Sequence, residues 1–312
     1  MIRHPLQTVR PTPARLLGTA MLALFWVAPL AAGIIRDDKA DALYTALAAQ
    51  SRYAGVGDLI IDNSVRCSAT VIDAHWILTA AHCVDGGIGQ VRFTVGGSTY
   101  AASSWVVNAN WTTDLYAGWD IALVEFATTI TGVTIAPLYT GTAEVGKVGT
   151  NVGFGMTGTG LTGATLASGT KRAGENLISA VGGQSDVGSF SSRILFQDFD
   201  NPHSAASSWW PSATPLGLEY LIAPGDSGGG LFIDVDGVSY LAGVHSFGLT
   251  TAPTVKFVYG DVAGSTRVSS FIDWIEGYIN PVPAPATLPL LVVGLLLIGS
   301  QTRRRPTHPT FA

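Results

Sequence analysis

The chain has 312 residues, of which 47% are hydrophobic and 12% charged, with 37 Gly, 16 Pro and two Cys. That composition excludes a disordered chain, which needs low hydrophobicity and high charge, and a scaffold held by many disulfides. A net charge of −5 leaves no basic footprint for nucleic acid, and a mean hydropathy of +0.34 raises the question of where the apolar excess lies.

It lies at the two ends. The first segment carries Arg3, Arg10 and Arg15 without an acid, then the apolar run Leu16 to Leu30 and the small residues Ala31, Ala32 and Gly33. A basic start, a short apolar run and small residues make a secretory signal peptide over 1–33, since a membrane span needs about 20 apolar residues. The protein is therefore expected to be exported, with signal peptidase as a partner. Leu43 and Leu47 place a short helix over Asp37–Gln50. β-rich runs follow at Gly57–Ile61, Ser68–Asp73, Trp76–Thr79, Val91–Val95, Ser104–Asn108, Ile121–Phe126, Ile178–Val181, Arg193–Phe199, Gly230–Val235, Ser239–Val244 and Val255–Asp261. Gly, Asn, Asp and Ser clusters punctuate them, the pattern of an all-β barrel or sandwich over 34–280. The Gly/Thr-rich stretch 153–174 has no Lys-Ser/Thr ending and reads as a surface loop, not a phosphate cradle. Val268, Phe271, Ile272, Ile275 and Ile279 follow helical spacing at the end of this region.

Three blocks carry chemistry: Leu78-Thr79-Ala80-Ala81-His82-Cys83, Trp119-Asp120-Ile121-Ala122-Leu123 and Pro224-Gly225-Asp226-Ser227-Gly228-Gly229-Gly230. A serine hydroxyl is a weak nucleophile near neutral pH and needs a base such as His82 to take its proton. Asp120 is suited to orient that histidine, and glycine at 225 lets the N–H groups of Gly225 and Ser227 converge on a developing oxyanion. The run Gly225-x-Ser227-x-Gly229 also fits an esterase elbow, but that fold needs Asp and then His after the serine, where this chain has only His245 and His308.

The blocks, in the order His, Asp, Ser, resemble a trypsin/chymotrypsin-like serine peptidase over about residues 34–280. The resemblance implies two six-stranded Greek-key β-barrels with a C-terminal helix, and a triad of His82, Asp120 and Ser227 that cleaves protein or peptide substrates through an acyl-enzyme. Gly243 to Gly248 resembles the family's substrate-binding strand, so Ser246, Phe247 and Gly248, with Leu221 and Ile222, are expected to form the specificity pocket. With no carboxylate there, apolar or aromatic residues are expected before the scissile bond. Asp226 is expected to pair with a freed amine at Ile34, exposed when signal peptidase cuts after Gly33. Cys67 and Cys83 are expected to form a disulfide, two cysteines being too few for a metal site. A catalytically silent adhesion module on the same scaffold is the competing reading.

No cofactor is expected, although the alternating carboxylates Asp198 and Asp200 within Phe196–Asn201 offer oxygen ligands of the kind calcium takes. Beyond Asn280, the segment 281–312 runs from Pro283-Ala284-Pro285 through an uncharged apolar stretch to Arg303-Arg304-Arg305. It resembles the PEP-CTERM sorting signal. That implies a membrane span before processing, an exosortase-type enzyme as partner, and a place in or outside the envelope of a Gram-negative bacterium.

Overall fold

Strands form where β-branched and aromatic residues alternate or cluster between turn residues, as seen in a computed structural model that describes residues 33–250 and 256–281. The signal-peptide and sorting-signal expectations lie outside the described residues, apart from Gly33 and Pro281. Among the described residues no helix is long and apolar enough to cross a membrane.

The chain opens with β1 (Gly33–Ile35) and α1 (Asp41–Ala48). The helix is shorter than the expected Asp37–Gln50 because the preceding residues are tied elsewhere. Arg36 pairs with Asp38 (2.6 Å), and the Tyr259 hydroxyl donates to Asp37 (2.6 Å). The first barrel comprises β2 (Val56–Ile61), β3 (Val65–Val71), β4 (Trp76–Thr79), the single turn α2 (Ala81–Val84), β5 (Val91–Val95), β6 (Ser98–Ala101), β7 (Ser104–Val107) and β8 (Ala122–Glu125). Its strands run in the order β6-β5-β2-β3-β4-β8-β7, all antiparallel, around Leu59, Ile77, Phe93, Leu123 and Phe126.

The second half contains β9 (Val148–Gly153), β10 (Thr157–Thr159), β11 (Arg172–Leu177), β12 (Ala180–Val181), β13 (Ile194–Asp198), β14 (Tyr220–Leu221), β15 (Gly230–Val235), β16 (Val238–Leu249) and β17 (Val262–Arg267), closed by α3 (Ile272–Ile279). Its sheet order is β11-β9-β15-β16-β17-β13-β12, while β1 sits between β10 and β14 in a small third sheet.

Each large sheet has seven strands where the resemblance implied six, and the reason is barrel closure. The two edge strands of the first sheet, β6 and β7, are consecutive in the chain and separated only by Ala102 and Ser103; those of the second, β11 and β12, flank Ile178 and Ser179. One bent strand thus bonds to both edges of its sheet, which removes the exposed edges. The corner residues keep the bonding continuous: Ala102 N–H donates to Val91 O (3.0 Å) and Ser103 N–H to Glu125 O (2.8 Å).

Some strands escape sequence reading. β9 and β11 are rich in Gly and buried polar side chains, with Asn151, Arg172 and Asn176 all at or below 1% exposure, so neither shows an apolar run. Arg172 is accommodated by its ion pair with Asp41 of α1. Conversely, Val255–Asp261 is no strand in its described part. Phe257 (φ 62°) and Gly260 (φ 89°) adopt left-handed backbone, and Asp261 accepts the Val258 N–H (3.1 Å) in a turn, so the strand starts at Val262.

Cys67 of β3 and Cys83 of α2 form the expected disulfide, tying the first barrel to the turn that carries His82. The loop it closes spans 16 residues, worth about 3 kcal/mol in the chain-entropy treatment. Replacing both cysteines with serine is therefore expected to lower unfolding stability by about 3 kcal/mol, read as a lower urea midpoint with a somewhat steeper slope because the denatured chain expands.

Candidate active site

The seam between the barrels is where the three sequence blocks meet. β4 ends at Thr79 and leads through Ala80 into α2, which bears His82; Asp120 sits just before β8; Ser227 sits in the turn ahead of β15. Asp120 is fully buried and grips His82 twice. Its Oδ1 accepts the His82 backbone N–H (2.9 Å), and its Oδ2 lies 2.7 Å from Nδ1. The Ser246 hydroxyl donates to the same Oδ2, and Thr266 Oγ1 donates to the Asp120 main-chain carbonyl (2.9 Å), so both the carboxylate and the backbone of Asp120 are fixed. Burial alone would lower the His82 pKa, but the hydrogen bond and charge of Asp120, with the more distant Asp85, lift it above the usual 6.5.

The serine turn is fastened to the first barrel. Ser68 N–H donates to Ser227 O (2.7 Å), Ser68 Oγ donates to Gly225 O (2.9 Å) and accepts the Phe154 N–H (2.9 Å), and the disulfide packs against the Ser227 carbonyl. The N–H groups of Asp226 and Gly228 are taken up by Ala223 O and His245 O, whereas those of Gly225 and Ser227 have no acceptor among the described residues. Gly225 has φ 96°, a conformation that favours glycine. Gly228 (φ 81°) is equally constrained by space, since a Cβ there would stand 2.1 Å from Thr79 Oγ1 and 2.2 Å from Ser68 O.

Asp226 and Ile34 are both fully buried. Ile34 pairs with Leu221 and Gly158 in the third sheet, and the Tyr220 ring fills the space where a Gly33 Cβ would stand while its hydroxyl lies 3.4 Å from Asp226 Oδ2. Asp226 accepts the N–H groups of Gly155 (2.8 Å) and Ala223 (2.9 Å), yet it has no ion pair among the described residues. Burial pushes its carboxyl up to about 7, against the pull of those hydrogen bonds and of the charge on Arg172.

Beside Ser227 opens a cavity of about 260 Å³ lined by Leu115, Ile222, Pro224, Ser246, Phe247 and Phe257, with no charged side chain. One expectation needs correction. Leu221 does not line it: its side chain is fully buried in a cluster with Ile34, and its neighbour Ile222 is the residue that reaches the cavity. Gly248 also lines the cavity, with the Phe257 ring 3.0 Å from where a Cβ at 248 would be. Leu115 and Phe257 were missed because each comes from a loop whose path no periodicity announces. His245 is fully buried against Ser265 Oγ (3.3 Å) rather than in the cleft.

Asp198 and Asp200 are 2% and 4% exposed and turn inward onto the Ser208 hydroxyl, with Asp198 also accepting the Trp209 N–H (2.8 Å). Among the described residues the trio close enough to share an ion is Cys67, His82 and Cys83, whose two sulfurs are already joined to each other.

Comparison with known proteins agrees with this geometry. The family model described as Trypsin matches residues 48–199. Brachyurin of Leptuca pugilator is 31% identical over 238 residues, covering 72% of this chain and 92% of that protein. Chymotrypsin-like elastase family member 1 of Canis lupus familiaris is 28% identical over 236 residues, covering 68% and 81%. The solved structure titled HL collagenase superposes with a TM-score of 0.55 at 20% identity, over 79% of this chain and 97% of that one, a likeness of fold.

Proposed function

Because this chain belongs to the trypsin family of serine peptidases and is a serine endopeptidase acting on protein or peptide substrates, we propose that Ser227 is its nucleophile, His82 its general base and acid, and Asp120 the carboxylate that orients the imidazole. The observation that carries this reading is the double grip of Asp120 on His82, which leaves Nε2 as the nitrogen able to take a proton. Ser227 Oγ then attacks the scissile carbonyl as its proton passes to His82 Nε2. The resulting oxyanion is met by the uncommitted N–H groups of Gly225 and Ser227, and the imidazolium returns the proton to the leaving amine. Water, activated by the same histidine, releases the acyl group. No cofactor enters these steps. Labelling with a fluorophosphonate tests the assignment: the folded protein is expected to label once, and Ser227→Ala not at all. A folded protein that resists the reagent would instead favour a silent binding module.

The apolar lining of the cavity beside Ser227 supports cleavage after apolar or aromatic residues. Profiling over a peptide library is expected to show Phe, Leu, Met or Tyr before the cut at least tenfold above Lys or Arg, because a cation entering that cavity leaves water without a partner. A dominant Lys or Arg preference would overturn the assignment. Export through signal peptidase, with Ile34 as the new amino terminus pairing with Asp226, and sorting through an exosortase-type enzyme in a Gram-negative envelope complete the proposal. They rest on the sequence of the two terminal segments.

A further inference from the structure

A second cavity, of about 430 Å³, opens away from Ser227 between the first barrel and the segment leading into β11. Its size is in the range of small-molecule sites, about 300–1,000 Å³. Ala48, Val56, Val95 and Phe154 give it a largely apolar wall, and two charged residues, Asp58 and Lys171, reach it.

Their situations differ. Asp58 is neutralised by Arg66, whose Nε donates to its Oδ1 (2.9 Å), and Arg66 is further anchored on Ser168 O (2.7 Å). Lys171 has no carboxylate: its Nζ donates to the Tyr53 carbonyl, and it forms no ion pair among the described residues. Burial, with no opposing charge, lowers its pKa to about 8. An ammonium with one neutral acceptor has two further N–H donors to satisfy. The neighbouring cation Arg172 is committed to Asp41 of α1, on its own side of β11. The wall is thus apolar, with a single positive donor at one place that no carboxylate pairs.

We propose that this cavity binds a small carboxylate with an apolar tail, the head on Lys171 Nζ and the tail against Val56, Val95 and Phe154. Such a ligand supplies the missing charge and covers apolar surface at once. A cationic amphiphile of the same length meets the Lys171 charge and is rejected.

Calorimetric titration of the full chain with octanoate tests this. Binding in the sub-millimolar to millimolar range is expected, with octylammonium at least tenfold weaker. At pH 8 octanoate binding is expected to take up protons, seen as a dependence of the heat on buffer ionisation, because the carboxylate restores the charge on Lys171. Asp58 and Arg66, already paired, supply little of that uptake. Lys171→Met is expected to cost at least tenfold in octanoate affinity and to abolish the uptake while still unfolding cooperatively on heating, and Lys171→Arg to retain octanoate preference over octylammonium. Equal affinity for the two amphiphiles, octanoate binding unaltered in Lys171→Met, or no heat at millimolar octanoate would each overturn the proposal.

Discussion

Asp120→Asn is expected to lower kcat/KM about 10⁴-fold at neutral pH while the protein stays folded. The two oxygens of Asp120 do separate jobs: Oδ1 accepts the His82 backbone N–H, and Oδ2 faces Nδ1. An asparagine keeps an oxygen for the backbone N–H, so the local chain path survives, but it then presents an amide NH₂ to Nδ1. The histidine must accept there, which places its remaining proton on Nε2, and a protonated Nε2 cannot take the Ser227 proton. Because the Asp120 charge and hydrogen bond also raise the His82 pKa, the sign of the pH effect follows. In the native protein activity needs neutral His82 and is lost as pH falls through a pKa above 6.5; in the variant the residual activity is lost at lower pH. Ser227→Ala is expected to be worse, about 10⁶-fold in kcat, and a double variant no worse than the single, since the members act as a unit. Steady-state kinetics across pH 5–9 check this, and a loss under tenfold for Asp120→Asn would remove it from the proposed mechanism.

The His82, Asp120 and Ser227 blocks were legible in the sequence because each depends on a short local arrangement: a strand end feeding a one-turn helix, a residue just ahead of a strand, a glycine-flanked turn. The disulfide was legible for the same reason, with one pair available. What the sequence did not disclose was mostly non-local. Ser246 was placed in the pocket, but its bond to Asp120 depends on β16 of the second half reaching the residue just ahead of β8 in the first barrel. Leu115 and Phe257 enter the pocket from irregular segments far apart in the chain, and Leu221 packs into a buried cluster with Ile34 while its neighbour Ile222 lines the pocket. β9 and β11 were unreadable because their buried faces carry Asn and Arg, and the partners of Arg172 and Asn176 lie on other elements. Barrel closure, in which one bent strand serves both edges of a sheet, has no sequence period.

A chain that begins at Ile34 is expected to be about 10²–10³-fold more active than one in which Gly33 remains attached. Asp226 is fully buried beside the nucleophile, and with Gly33 in place its carboxyl is pushed up to about 7 by burial. Near neutral pH it is therefore only partly charged, and its ionised fraction is a buried carboxylate without a cation beside the turn that carries Gly225 and Ser227. Cutting after Gly33 creates an ammonium in the third sheet, where Tyr220 touches both Gly33 and Asp226. A buried carboxylate without its cation costs about 3–4 kcal/mol or more relative to the pair, which at 1.4 kcal/mol per tenfold corresponds to at least about 10²–10³ in the fraction of correctly formed site. The linkage has opposite signs in the two forms. With Gly33 attached, the raised carboxyl pKa means the folded state binds the extra proton, so its contribution to stability is present below the ordinary carboxylate range and is lost as pH rises through about 7. With a free Ile34 amine the pair lowers the Asp226 pKa, and its contribution is instead retained through neutral pH and lost on acidification. Thermal melts of the two forms from pH 4 to pH 8 are expected to diverge as pH rises, the Ile34 form becoming relatively more stable. Asp226→Asn is expected to flatten that divergence and to leave the Ile34 form no more active than the uncut one. Parallel melting curves, or full activity with Gly33 still attached, would show that the turn around Ser227 forms without the amine.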